Sequence, residues 1–147
     1  MTRKFSAQIE DIAKLTERQL TAVVVDSVQD VLEAAQTPQR SVKLTGGTFE
    51  EGKIPVDERD LIQSLEVGYN GAYQPTAGAT TLSVAGFSLG QTINARWTAA
   101  HALRMELGFT GTDSLGRNYQ QAGRHFVGKN AERWSEFVKA NAAKYKV

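Results

Sequence analysis

The chain has 147 residues with 17 basic and 16 acidic side chains, a formal net charge of +1, which fits a single domain of ordinary globular composition over 1–147. Cysteine is absent and the two histidines are His101 and His125, which excludes a disulfide scaffold, a thiolate zinc site, a cysteine nucleophile and a histidine-rich metal centre. No apolar run approaches the ~20 residues of a membrane span, and Met1-Thr2-Arg3-Lys4-Phe5-Ser6 lacks the apolar core of a signal peptide, so a soluble, non-secreted domain without membrane contact is expected.

The first predicted element is a helix over 6–35. Ile9, Ile12, Leu20, Val23, Val24, Val28, Val31 and Leu32 recur at spacings of three and four and define one apolar stripe. Ser6 suits the N-cap. Thr16 followed by Gln19 resembles a capping box, which leaves room for a break near Leu15. Val23-Val24-Val25 would suit a strand, but the periodicity on both sides favours helix. Thr37-Pro38 closes the element, because the residue before proline is pushed out of the helical region.

Residues 38–59 read as a long loop with Gly46, Gly47, Gly52 and Pro55, a length usually reserved for functional or disordered connections. Strands are expected over 60–69, 79–87 and 90–97. Leu61, Gln63, Leu65 and Val67 line one face of the first. Leu82 and Val84 alternate with Thr81 and Ser83 in the second, and Ile93, Ala95 and Trp97 with Thr92, Asn94 and Arg96 in the third. Asn70-Gly71 and Leu89-Gly90 are turn signals, the latter for a tight hairpin, whereas 70–78 reads as too long for one. A short helix is predicted over 98–107 and stopped by Gly108. A polar, glycine-rich loop follows over 108–124, then a helix over 125–144 with Phe126, Trp134, Phe137, Val138 and Tyr145 as its apolar stripe. Strands and helices segregate. The expected class is therefore α+β, an antiparallel β-meander of three to four strands packed against a long N-terminal helix and a C-terminal helix.

Charge is unevenly placed. Residues 1–95 hold 8 basic and 12 acidic side chains, a net of −4, and 96–147 hold 9 basic and 4 acidic, a net of +5. Such polarity marks a basic face for nucleic acid or complementary faces for self-association; the plainer reading is a solvated basic C-terminal helix. The bases are spread out and carry no nucleic-acid-binding fingerprint.

Gly47-Thr48-Phe49-Glu50-Glu51-Gly52-Lys53 has the spacing of a phosphate-binding loop. Ile54 offers no hydroxyl for magnesium, Pro55 follows, no helix start is evident, and two glutamates would repel phosphate. Gly86-Phe87-Ser88-Leu89-Gly90 spells a nucleophile elbow but sits in a predicted hairpin turn rather than before a helix. The histidines are expected at the surface or an interface. Glu50-Glu51 and Asp57-Glu58-Asp60 lack calcium-loop spacing. The 108–124 loop stands out because Phe109, Leu115 and Tyr119 would not be needed in a flexible linker, and such a loop orders well against a partner.

Two stretches, in order, resemble the bacteriophage head–tail connector proteins known as neck or tail-completion proteins. Gly52-Lys53-Ile54-Pro55-Val56-Asp57-Glu58-Arg59-Asp60-Leu61-Ile62-Gln63-Ser64-Leu65 looks like that family's Gly-rich loop and Pro-Val-Asp-(Thr-Gly)-x-Leu-x-x-Ser-(Ile/Leu) entry into the first strand. His101-Ala102-Leu103-Arg104-Met105-Glu106-Leu107-Gly108 resembles its Tyr-Ala-x-x-(aliphatic)-Glu-(Tyr/Phe)-Gly, which precedes a polar loop and a closing helix. Glu58-Arg59 departs from the family's Thr-Gly turn, and His101 from its Tyr. The resemblance covers most of the chain and implies a virion structural protein without catalysis or cofactor, made in the host cytoplasm. It implies a ring, commonly sixfold, at the head–tail junction. The partners would be copies of itself, neighbouring neck or tail-tube proteins and, non-specifically, packaged DNA. A ring needs heterologous contacts, with the acidic and basic parts of the chain as complementary surfaces. The candidate interface residues are Asp57, Arg59, Arg104, Glu106, Phe109, Leu115, Arg117, Tyr119 and Arg124. The competing expectations are a small sequence-independent DNA-binding domain dependent on Arg117 and Arg124, and a hydrolase using His101 or His125 with a serine.

Overall fold

The structure is a computed structural model that describes residues 5–57, 59–82, 87–112 and 114–147. Helix α1 runs unbroken over Phe5–Ala35. Ser6 is therefore inside the helix rather than capping it, and no break occurs near Leu15. The Thr16 hydroxyl donates to the Ile12 carbonyl one turn back (3.0 Å), and the Gln19 amide reaches across to the Tyr145 carbonyl (3.1 Å), so neither builds a capping box. The helix ends before Thr37-Pro38 as expected, and the Thr37 hydroxyl bonds the Glu33 carbonyl (2.9 Å).

The segment 38–59 is not a structureless loop. Strand β1 (Pro38–Arg40) pairs in parallel with β2 (Ile54–Val56), and one helical turn, α2 (Val42–Thr45), lies between them. Three-residue strands joined over a long excursion leave no periodicity to read. The expected strand 60–69 splits. Asp60–Gln63 form a helical turn, α3, which buries Leu61, and the strand itself, β3, is Leu65–Tyr69. Over four residues, apolar spacing of two and of three cannot be told apart.

β3 is the centre of a three-stranded antiparallel sheet, with β4 (Gln74–Pro75) on one side and β5 (Ile93–Trp97) on the other; the register runs from Leu65↔Trp97 to Tyr69↔Ile93. Asn70 (φ 52°) and Gly71 (φ 83°) turn β3 back tightly into β4, with Ala72 N–H donating to the Tyr69 carbonyl (3.0 Å), the left-handed pair expected of an Asn-Gly hairpin. Thus 70–78 holds a tight turn after all. Residues 79–82 and 87 form no strand, and 83–86, with Ser83 and Val84, lie outside the described residues. The Leu82 amide bonds the Gln29 side chain of α1 (2.6 Å) instead of a neighbouring strand. Leu89-Gly90 does turn (Gly90 φ 95°), but β5 beyond it pairs with β3.

α4 (Ala102–Leu107) is shorter than the 98–107 predicted and is capped by Gly108. The supposed loop 108–124 is largely a second hairpin, β6 (Gly108–Thr112) with β7 (Asn118–Ala122), in register from Gly108↔Ala122 to Thr112↔Asn118. The C-terminal helix is interrupted, giving α5 (Gly128–Ala131) and α6 (Trp134–Lys144).

Two buried clusters hold these parts. Val25 and Leu32 of α1 pack with Leu65, Val67, Leu82 and Phe87; Ala35, Ile54, Leu61 and Phe126 form the second, and Trp97 touches both. Trp97 meets Phe126 edge to face (5.4 Å between centroids), and its indole N–H donates to Gln36 (2.8 Å), whose amide donates to the Ile62 carbonyl (2.7 Å). The buried Gln36 thus has its polar atoms matched at the junction of the clusters. Polar groups tie α6 to α1. Asn141 donates to Ser27 Oγ (3.1 Å) and Asp30 Oδ2 (2.8 Å), and Lys144 and Tyr145 converge on Asp26 (3.1 and 2.5 Å).

Candidate functional site

The site grows from the crossing of α4 with the chain leaving β7. A Cβ on Gly123 would lie 2.3 Å from the Glu106 carbonyl oxygen, so only glycine lets these backbones approach. The next residue is locked on both sides: Arg124 N–H donates to the Met105 carbonyl (2.8 Å), and the Arg124 carbonyl accepts from Gly52 N–H (2.7 Å). Glu106 completes the clasp, its carboxylate accepting from Val127 N–H (2.9 Å) and Gly128 N–H (2.8 Å). Those are charge-assisted bonds to otherwise orphaned amides.

This clasp holds the Arg124 side chain at 1% exposure. Its guanidinium stacks 4.6 Å from the Phe49 ring centroid, and Nη1 donates to the Ala122 carbonyl (2.9 Å). Nε has no hydrogen-bond partner among the described residues, and no ion pair joins Arg124 to a described carboxylate. Burial lowers the Arg124 pKa from its ordinary value, as desolvation disfavours the charged form. Arg124 lines a cavity of about 250 Å³ together with Ser41, Asp57, Arg59, Asp60 and His101. The Ser41 hydroxyl is also buried without a partner.

Eight of the nine predicted interface residues separate into three groups. Asp57, Arg59 and Arg124 share the cavity; Asp57 pairs with Lys43 (3.7 Å), and Arg59 sits left-handed (φ 67°) at the start of α3. Arg104, Phe109 and Tyr119 form a second cluster, Arg104 lying 4.2 Å over the Phe109 ring and Phe109 lying 6.3 Å from Tyr119. Leu115, 75% exposed, and exposed Arg117 belong to the turn between β6 and β7. Glu106 is engaged inside the chain by the Val127 and Gly128 amides. Ser41, Asp60 and Phe49 were not legible as site residues, since their meeting depends on the unpredicted β1–β2 pair. The buried state of Arg124 had no sequence signal either.

Other candidates resolve into local structure. Lys53 of the phosphate-loop-like segment pairs with Glu50 (2.5 Å), and strand β2, not a helix, follows it. Glu51 pairs with Lys129 (3.7 Å). Neither imidazole hydrogen-bonds a described side chain. No group of three metal-ligating side chains occurs among the described residues, and no described helix is long and apolar enough to cross a membrane. The uneven charge is partly neutralised within the chain: Arg96 with Glu66 (2.7 Å), Lys129 with Glu51 and Lys144 with Asp26 each join a C-terminal base to an N-terminal acid. The acidic and basic parts are therefore not simply two separate outer faces. No known protein family, curated protein sequence or solved structure matches the chain.

Proposed function

We propose that the chain is a structural subunit of a tailed-phage neck, a tail-completion or head–tail connector protein that acts in the virion as part of a ring around the DNA channel. It works by contact with copies of itself and with neighbouring neck or tail-tube proteins, and it carries no catalytic chemistry. The two motif resemblances support the family. One structural observation supports the mode of action: the first half of α1 projects with its apolar stripe uncovered. Residues 8–18 are all exposed, about 16 Å of helix at 1.5 Å per residue, and Ile12 is 61% exposed.

An apolar helix face in water, continuous with a folded core, is a surface for another chain. In a ring the surface that receives it is a different one, because head-to-tail contacts close by rotation. Leu103 and Leu107 of α4 and Leu115 of the β6–β7 turn are among the other exposed large apolar groups of the described residues. Sedimentation velocity over a range of concentrations, with electron microscopy of the fastest species, tests this. Closed rings are expected, lost on combining Ile9→Glu with Ile12→Glu. A chain that stays monomeric at every concentration, alone and with candidate neck partners, contradicts it.

A further inference from the structure

We propose that the exposed first half of α1 is the seat of α4 from a neighbouring copy of this chain. The inference rests on the ring reading and names the surface that receives the helix.

Continuity of one side of α1 carries it. α6 and the Tyr145 that follows it bond Gln19, Asp26, Ser27 and Asp30, positions that share one side of the helix. Stepping back from Gln19 by four, three and three residues reaches Leu15, Ile12 and Ile9, all exposed. The side of α1 that carries α6 therefore runs on, uncovered, as three apolar side chains. A face that already seats one helix suits a second, provided the newcomer brings an apolar ridge.

α4 presents such a ridge. Leu103 and Leu107, 68% and 63% exposed, are four residues apart and lie on one face. The other exposed large apolar residues outside α1 stand singly along the described chain. Six helical residues span about 9 Å at 1.5 Å each, which fits within the exposed stretch. Charge agrees as well. Residues 8–18 hold Glu10, Asp11 and Glu17 against Lys14 and Arg18, a net of −1. In α4 the Val127 and Gly128 amides occupy Glu106, which leaves exposed Arg104, stacked on Phe109, as the charge beside the leucines. Two α1 segments facing each other would instead bring net-negative stretches together and close as a pair rather than a ring.

Cysteine is absent from the chain, so single introduced cysteines report contacts cleanly. An Ile12→Cys chain and a Leu107→Cys chain, purified separately with tags of different length, are mixed dilute, concentrated together and treated with a short bis-maleimide. The mixed dimer is expected to exceed both homodimers, and to fall to background when Lys14→Cys, on the opposite side of α1, replaces Ile12→Cys. Leu107→Glu, at an exposed position, keeps the parent's urea midpoint and weakens association, read by sedimentation velocity, about tenfold or more. A dominant Ile12→Cys homodimer, equal yields from Ile12→Cys and Lys14→Cys, or unchanged association of Leu107→Glu would each overturn the proposal. Rings that form without the mixed cross-link refute the α1–α4 contact and spare the proposed function. The mixed cross-link in a species that never closes supports the contact and contradicts the ring, and the absence of both association and cross-link refutes both.

Discussion

In the second half of α1, Val25, Leu32 and Ala35 are buried against the sheet and the Ile54–Phe126 cluster, whereas Ile9, Ile12 and Leu15 in the first half stand exposed. The spacing of the stripe is continuous across the two. What differs is the cover: α6 lies along the second half, tied at Gln19, Asp26, Ser27 and Asp30, and the described residues place nothing comparable over 8–18. Periodicity tells that a helix has an apolar face. It does not tell which part of that face its own chain covers, and the uncovered part is where a function by contact would reside.

Substitutions along α1 sharpen this contrast. Leu32→Ala, at a site 4% exposed, removes packing from the first cluster and lowers stability by about 2–5 kcal/mol, read by urea unfolding in dilute solution. Next is Asn141→Ala in α6, which strips Ser27 and Asp30 of their shared donor and costs about 1–3 kcal/mol in the same assay. Acid titration probes the same seam. Burial pushes the Asp26 carboxyl up, but the Tyr145 hydroxyl and the Lys144 ammonium outweigh it, holding the pKa below its ordinary value of 3.8. A depressed carboxylate stabilises fully above its unfolded-state value and loses that contribution as pH falls through the folded one. Unfolding followed from pH 5 downward therefore shows an acid-dependent component that Asp26→Asn removes. The smallest effect belongs to the projecting half: Ile12→Ala changes the stability of the dilute protein by no more than about 0.5 kcal/mol. A loss as large as that of Leu32→Ala would mean this half is covered by its own chain.

The same contrast bears on what could be read from the residues alone. α1, its end before Thr37-Pro38, β3 and β5 follow from stripes, alternation and turn signals carried by neighbouring residues. The β1–β2 pair and the β6–β7 hairpin do not. The first joins three-residue strands across a long excursion. The second is built from Gly108-Phe109-Thr110-Gly111-Thr112 and Asn118-Tyr119-Gln120-Gln121-Ala122, poor in the β-branched and apolar alternation that marks a half-buried strand. The site suffers most from this. Asp57, Arg59 and Arg124 are expected as interface residues, but the cavity that unites them also draws on Ser41 after β1 and on the α4 crossing at Gly123. The polar seam was also hidden, because Asn141 and Ser27 look like solvated helix residues until the two helices meet.

Amide hydrogen exchange across a concentration series tests the central claim most directly. Residues 8–18 of α1 should exchange rapidly in dilute protein and become protected as concentration rises, while residues 23–35 stay protected throughout. Equal protection of both halves at the lowest concentration, or no gain over 8–18 at the highest, would contradict the account.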